Sequence, residues 1–246
     1  MVKDRNTVDS GNENRNLVRW SGFISVIQGL LIFIPTIILG AAINWPESLD
    51  DPASIALPRL LENEGAVRVG YFAYLILSLL FAITMVLLAQ IVLGKDSGIL
   101  IKIIVAFAIA SALARSIGII RWLVPMFDLA KIWEQSTTED QKYVVSVVFE
   151  TLNSYGGTIG EVLGVSIFAA ISIFFLSIAN LIRRTLPKWI SVFGLISVLG
   201  LLWTSTGIVG IDPGSSADFI GTTIVQLWFL FTGFWLLIKG KTLVKN

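Results

Sequence analysis

Apolar residues run through this chain in long, nearly unbroken stretches. Six of them stand out: Ser21–Ile43, Val67–Gly94, Ile99–Met126, Thr158–Ile182, Trp189–Gly210 and Phe219–Ile238. A helix crosses the hydrocarbon core of a bilayer in about 20 residues, and each stretch is long enough. Their interiors are mostly Leu, Ile, Val, Phe, Ala and Gly. The pattern predicts an all-α, polytopic membrane protein, a bundle of six transmembrane helices in one domain covering about 20–239. A polar tail, 1–19, precedes it and a short basic tail, 240–246, follows. In lipid every backbone polar group is satisfied inside such a helix. The composition agrees, with 55% hydrophobic residues and a mean hydropathy of +0.81.

Charge adds direction. Lys3, Arg5, Arg15, Arg19, Lys95, Lys102, Arg183, Arg184, Lys188, Lys239, Lys241 and Lys245 fall on one side of the predicted membrane. Only Arg59, Arg68, Lys131 and Lys142 fall on the other, twelve against four. The positive-inside rule then expects both termini in the cytoplasm. Trp20, Trp189 and Trp235 at inner boundaries, with Trp45 and Trp122 near outer ones, read as an aromatic belt. The first stretch is too long for a signal-peptide core, so it reads as an uncleaved anchor. The tail Met1–Asn16, rich in Asn, Asp, Lys and Arg, is expected to be disordered. A net charge of +1 gives no field for nucleic acid. The basic loops orient the chain and can touch anionic membrane lipid.

Missing residue types exclude much chemistry. With no Cys and no His there are no disulfides, thiol redox steps, imidazole or thiolate metal sites, or His-dependent triads. No phosphate-cradling Gly-rich loop with Lys-Ser/Thr is present. No catalytic residue, metal or cofactor is expected.

Two loops on the sparse side carry local signals. In Asn44–Ala66, Asp51 before Pro52 reads as a helix cap, and Pro58 limits the helix. The acids Glu47, Asp50, Asp51, Glu62 and Glu64 read as a solvated loop face. In Phe127–Gly157, Thr138 and Gln141 fit a capping box. Val144, Val145, Val148, Phe149 and Leu152 then recur on one face, and Asn153–Gly157 ends the helix. That helix either lies on the leaflet or tucks over the bundle as a lid. Gly156, Gly160 and Gly164, four apart, are small-residue positions for close helix packing. Pro35 is expected to kink the first span and free a carbonyl.

The charges inside the spans are the sharpest signal, because an ionisable group there is costly and usually faces a partner or a wet cavity. Arg121 lies roughly 8 Å inside the outer end of its span, taken at Met126. Glu161 lies at matching depth in the next span, and the two are expected to pair. Arg115 lies about 16 Å inside, with no acid at its depth. It needs carbonyls, hydroxyls, amides, water or an anion. Gln28, Thr84, Ser172, Thr204, Ser205, Thr206 and Gln226 are the candidate polar neighbours. The same Arg115 could tie the bundle together as a polar knot, or hold a carboxylate or phosphate in its planar donor fork.

Several short motifs resemble a bacterial membrane family known as domain of unknown function 4386. They are Ala114-Arg115-Ser116-Ile117-Gly118, the junction Leu181-Ile182-Arg183-Arg184-Thr185-Leu186-Pro187-Lys188-Trp189 with Gly194 and Gly200 beyond it, and Asp51-Pro52-Ala53 leading to Arg68-Val69-Gly70. The similarity runs from about Leu17 to Leu237. Near Ala179-Asn180 the family more often has Gly and an aromatic residue. The resemblance implies a six-helix integral protein of the bacterial cytoplasmic membrane and implies no activity.

Together these readings give a non-catalytic bundle that binds a lipid or small anionic amphiphile near Arg115, with Arg121, Glu161, Gln28 and Gln226 as further contacts and Asp128–Asn153 as a partial lid. The alternatives are a transporter or channel subunit, and a membrane enzyme using Glu161 with Arg121. The enzyme ranks last because a lone carboxylate lacks a second catalytic group.

Overall fold

The computed structural model describes residues 5–94, 98–214 and 217–244, with side chains from 13 onward save 218, 219, 241 and 244. Lys3, Lys95 and Lys245, which helped orient the chain, lie outside the described residues, as do the side chains of Arg5 and Lys241. Every described element is helical. In order they are α1 (Arg5–Leu31), α2 (Phe33–Ile43), α3 (Ala53–Glu62), α4 (Glu64–Leu93), α5 (Gly98–Leu123) and α6 (Pro125–Gln135). Then come α7 (Glu139–Gly157), a π-helical stretch Thr158–Phe168, α8 (Ala169–Arg183), α9 (Lys188–Thr204) and α10 (Ala217–Lys239). Among the described residues, six helical segments are long and apolar enough to cross a membrane: Glu13–Ile43, Glu64–Leu93, Gly98–Gln135, Glu139–Arg183, Lys188–Val209 and Ile220–Lys239.

Prolines set the breaks. Pro35 cannot donate to Leu31, and the helix is interrupted at Ile32, whose carbonyl instead takes both Thr36 N (3.2 Å) and Thr36 Oγ1 (2.9 Å). Pro125 ends α5 at Leu123 and opens α6, because the residue before a proline is pushed out of the helical region. α5 therefore ends before Met126 with Arg121 in its last turn, while the apolar segment that contains it runs on to Gln135.

Three local expectations are corrected. α1 begins at Arg5, inside the tail expected to be disordered; extending an existing helix needs no new nucleus. Asp51 does not cap α3. Pro52 takes the cap position without a side-chain bond, and Asp51 Oδ2 instead meets Arg59 Nη1 at 2.6 Å. Pro58 lies inside α3 and does not end it, since Ala56, Leu57 and Leu60 are buried and hold the helix by packing. α7 does end at Gly157, where Asn153–Gly157 was expected to end it, but the chain passes without a break into the π-helical stretch. The capping box is present, with Gln141 N donating to Thr138 Oγ1 and Thr138 N to Gln141 Oε1, each 3.3 Å.

The chain divides into two compact units. One comprises Met1–Leu30, Leu80–Ala110 and Ser166–Asn246. In it α9 packs against α8 and α10. α1 meets α10 through glycines, so that a Cβ at Gly29 would stand 2.8 Å from the Gln226 carbonyl and one at Gly233 2.7 Å from that of Gly22. Phe81 and Phe229 meet edge to face, and the Trp228 indole donates to Ile190 O at 2.9 Å.

The other unit comprises Leu31–Leu79 and Ser111–Val165. Here α3, α6 and α7 pack on one another. Their apolar faces, including Leu57, Leu60, Phe127, Val145 and Phe149, close over Leu39, Ile43, Val67, Tyr71, Ile119 and Trp122. α7 is thus part of a core, pinned also by Asn153 Nδ2 donating to Leu49 O at 2.9 Å. Its five-residue face splits. Val145 and Phe149 are buried and Leu152 packs beside them, whereas Val144 and Val148 are exposed, because adjacent positions point about 100° apart on a helix. Trp122 also departs from the belt reading. It is buried, stacked parallel on Tyr71 at 5.5 Å and edge-on to Phe149 at 6.4 Å.

Candidate functional site

The candidate site lies in the second unit, where α5 runs against the π-helical stretch. The two approach closely because glycines face glycines. A Cβ on Gly118 would lie 2.7 Å from Gly160 Cα, and one on Gly160 would lie 2.9 Å from Gly118 Cα. Below and above this contact, glycines face the arginines. A Cβ on Gly164 would meet Arg115 N at 2.8 Å, and one on Gly156 would meet Arg121 Cδ at 2.7 Å. Ser111 Oγ donates to Gly164 O at 2.7 Å and adds a bond across the same interface.

Side chains of Cβ size are therefore excluded wherever a guanidinium stem needs the space. Arg121 lies along Gly156 and Gly157, with only 7% of its side chain exposed, and its Nη2 donates to Glu161 Oε1 at 3.1 Å. Glu161 is 52% exposed. The pair is thus asymmetric: a sequestered cation and a half-open carboxylate. The Arg121 guanidinium also stands 5.5 Å from the Trp122 ring centroid, within cation–π range. Arg115 is 7% exposed, with Tyr74 within electrostatic reach.

Tyr71 and Tyr74 join this cluster, and charge patterning along the sequence had not marked either. Tyr71 is fully enclosed, and Arg121, Glu161 and Tyr74 lie within its electrostatic reach. Two donors of the cluster are buried without an acceptor among the described residues, the Tyr71 hydroxyl and Arg121 Nε. The π-helix was also missed. Wide turns of this kind occur often at functional sites, and the only sequence trace was the run of glycines.

Gln28 and Gln226 belong to the first unit. Gln28 is fully buried on α1 with neither amide atom bonded among the described residues, and Gln226 is nearly buried on α10 with Oε1 likewise unbonded. The close approach of Gly29 to the Gln226 backbone puts both amides at one level of the α1–α10 pair. The hydroxyls named as neighbours of Arg115 bond to other groups, some within their own helix and some across to another. Thr84 donates to Leu80 O, Ser172 to Ile104 O, Ser205 to Leu202 O and Thr206 to Trp203 O, while Thr204 shares a bond with Ser166.

A further arginine ties α4 to the end of α5. Arg68 Nη1 donates to Leu123 O at 3.0 Å, satisfying a carbonyl at the end of α5. Its Nε holds Glu64 at 2.8 Å, and the guanidinium lies 4.1 Å over the Phe127 ring. Two residues on, a Cβ at Gly70 would stand 2.6 Å from the Leu39 side chain, so α2 requires that glycine. No group of three or more metal-ligating side chains occurs among the described residues.

A family model described as "Domain of unknown function (DUF4386)" matches residues 27–240. No curated protein and no solved structure matches the chain.

Proposed function

The chain belongs to the DUF4386 family, and we propose that it binds the anionic group of a membrane lipid or small amphiphile at the Arg115–Arg121–Tyr71 cluster, without catalysing a reaction on it. One observation carries this reading: the Arg121 Nε–H and the Tyr71 O–H are buried donors with no acceptor among the described residues, beside a guanidinium already paired. A buried donor left unmade costs about 1–3 kcal/mol, so a site that keeps two of them gains by meeting an acceptor-rich ligand. The charge balance points the same way. Two buried guanidinium groups accompany one carboxylate that is half-open. Glu161 already serves Arg121, which speaks against a free general base. On the twelve-to-four distribution of basic residues, both termini face the cytoplasm of a bacterial cell, and the site opens toward the outer leaflet.

Native mass spectrometry of the detergent-purified protein tests this. Wild type should carry a discrete anionic adduct, and Arg115→Gln should lose it. Tyr71→Phe should retain less ligand while melting no lower than wild type, because the hydroxyl it removes has no partner among the described residues. Bare protein in all three samples would refute the proposal.

A further inference from the structure

We infer that the turn between α8 and α9 is a preformed site for the phosphate of an anionic phospholipid, separate from the cluster around Arg115. The turn is short. α8 ends at Arg183 and α9 starts at Lys188. Four connecting residues extend at most roughly 14 Å, so a turn joining two membrane-crossing helices lies at the level of the headgroups. It carries Arg183, Arg184 and Lys188, all exposed, flanked by exposed Ile182 and Trp189. No Asp or Glu occurs in the sequence between Glu161 and Asp212. Among the described residues none of these three cations forms an ion pair.

What separates this turn from an ordinary basic loop is how it is held. Asn180, buried, accepts from Leu186 N at 2.7 Å through Oδ1 and donates through Nδ2 to Leu186 O at 3.2 Å and Ser191 Oγ at 2.7 Å. Arg184 N donates to Asn180 O at 2.7 Å, and Thr185 Oγ1 to Val92 O at 3.1 Å. Arg184 is held with φ +58°, a left-handed conformation that an arginine adopts at a cost. One buried amide thus fixes the backbone from which two guanidinium groups project. A fixed backbone loses less freedom when a ligand binds, and the planar forks suit phosphate oxygens. The apolar flanks, Ile182 and Trp189, suit the acyl boundary beneath a headgroup.

The test is lipid retention by native mass spectrometry after exposure to mixed phosphatidylglycerol and phosphatidylcholine micelles. Wild type should keep phosphatidylglycerol in preference. Each basic residue near a membrane surface favours anionic lipid by about fivefold, so Arg183→Gln/Arg184→Gln should lower the preference by roughly 30-fold. Arg15→Gln/Arg19→Gln, an exposed pair on α1, should leave it near the wild-type value. Equal losses from both pairs would overturn the inference in favour of general surface charge, and no loss from the first pair would overturn it outright. Displacement of the lipid by millimolar inorganic phosphate would overturn the assignment to a lipid. Arg115→Gln should lose the adduct that survives purification yet keep the preference for phosphatidylglycerol added in micelles, and Arg183→Gln/Arg184→Gln the reverse, so failure here and failure of the function proposed above are distinguishable.

Discussion

Substituting alanine at Gly118 or Gly160 should destabilise the protein, although alanine is the better helix former. A Cβ at Gly118 would sit 2.7 Å from Gly160 Cα, and both atoms are held by backbone. Carbon atoms rest at about 3.5–4.0 Å, so the helices would have to separate by roughly 1 Å. Overpacking of this kind costs about 1–3 kcal/mol. Replacing a mid-helix glycine returns roughly 0.5–1 kcal/mol. The balance is a loss of about 1–2 kcal/mol, a fall in Tm of roughly 3–6 °C for a chain of this size. Gly65→Ala supplies the opposite case. Its Cβ would meet nothing within 4 Å, so only the helix-propensity gain remains and Tm should hold or rise. The assay is thermal unfolding in one detergent, followed by intrinsic fluorescence. If Gly160→Ala melts at or above wild type while Gly65→Ala behaves likewise, the close-contact argument is wrong.

Asn180→Ala would strand the Leu186 amide and carbonyl and the Ser191 hydroxyl, and should cost about 2–4 kcal/mol, read from the same melts. Thr232→Val removes a fully buried hydroxyl that has no partner among the described residues, so it should be neutral or stabilising by up to ~1 kcal/mol. A clear loss on Thr232→Val would show that a buried water serves the hydroxyl, in the small cavity of about 10 Å³ that Thr232 lines with Ser177 and Asn180. Glu161→Gln keeps an acceptor for Arg121 but removes the charge; with Glu161 half-exposed, the cost should be about 1 kcal/mol, and Arg121→Gln added to it should not double the loss.

The spans were legible because membrane-crossing helices announce themselves by length and composition. The Arg121–Glu161 pair was legible from depth alone, since two charges in adjacent spans have few other places to go. The short helices were harder. α3 and α7 were signalled by turn chemistry; the cap and end of α7 held at Thr138 and Gly157, whereas those assigned to α3 failed where packing took over, at Asp51 and Pro58. α6 gave no signal beyond Pro125, because its buried Phe127 and Leu129 continue the apolar run of the span before it. Tyr71 looked like an ordinary span residue and Trp122 like part of an aromatic belt; that they stack on each other beside Arg121 depends on a contact distant in sequence. Arg68, noticed only in the charge count and as part of a motif, turned out to bond the carbonyl at the end of α5.

The glycine spacing in this protein has a consequence for alignment in the sliding sense. Where Gly118 touches Gly160 there is no side chain between the backbones, so no rotamer can adjust and the helices can only separate or slip. Gly156 and Gly164 lie four residues to either side. A slip of about one turn, ~5 Å, would put another glycine opposite Gly118 and renew the same backbone contact. Glycine packing alone thus leaves neighbouring registers nearly equivalent. The Arg121–Glu161 pair does not repeat, and it singles out one register among them.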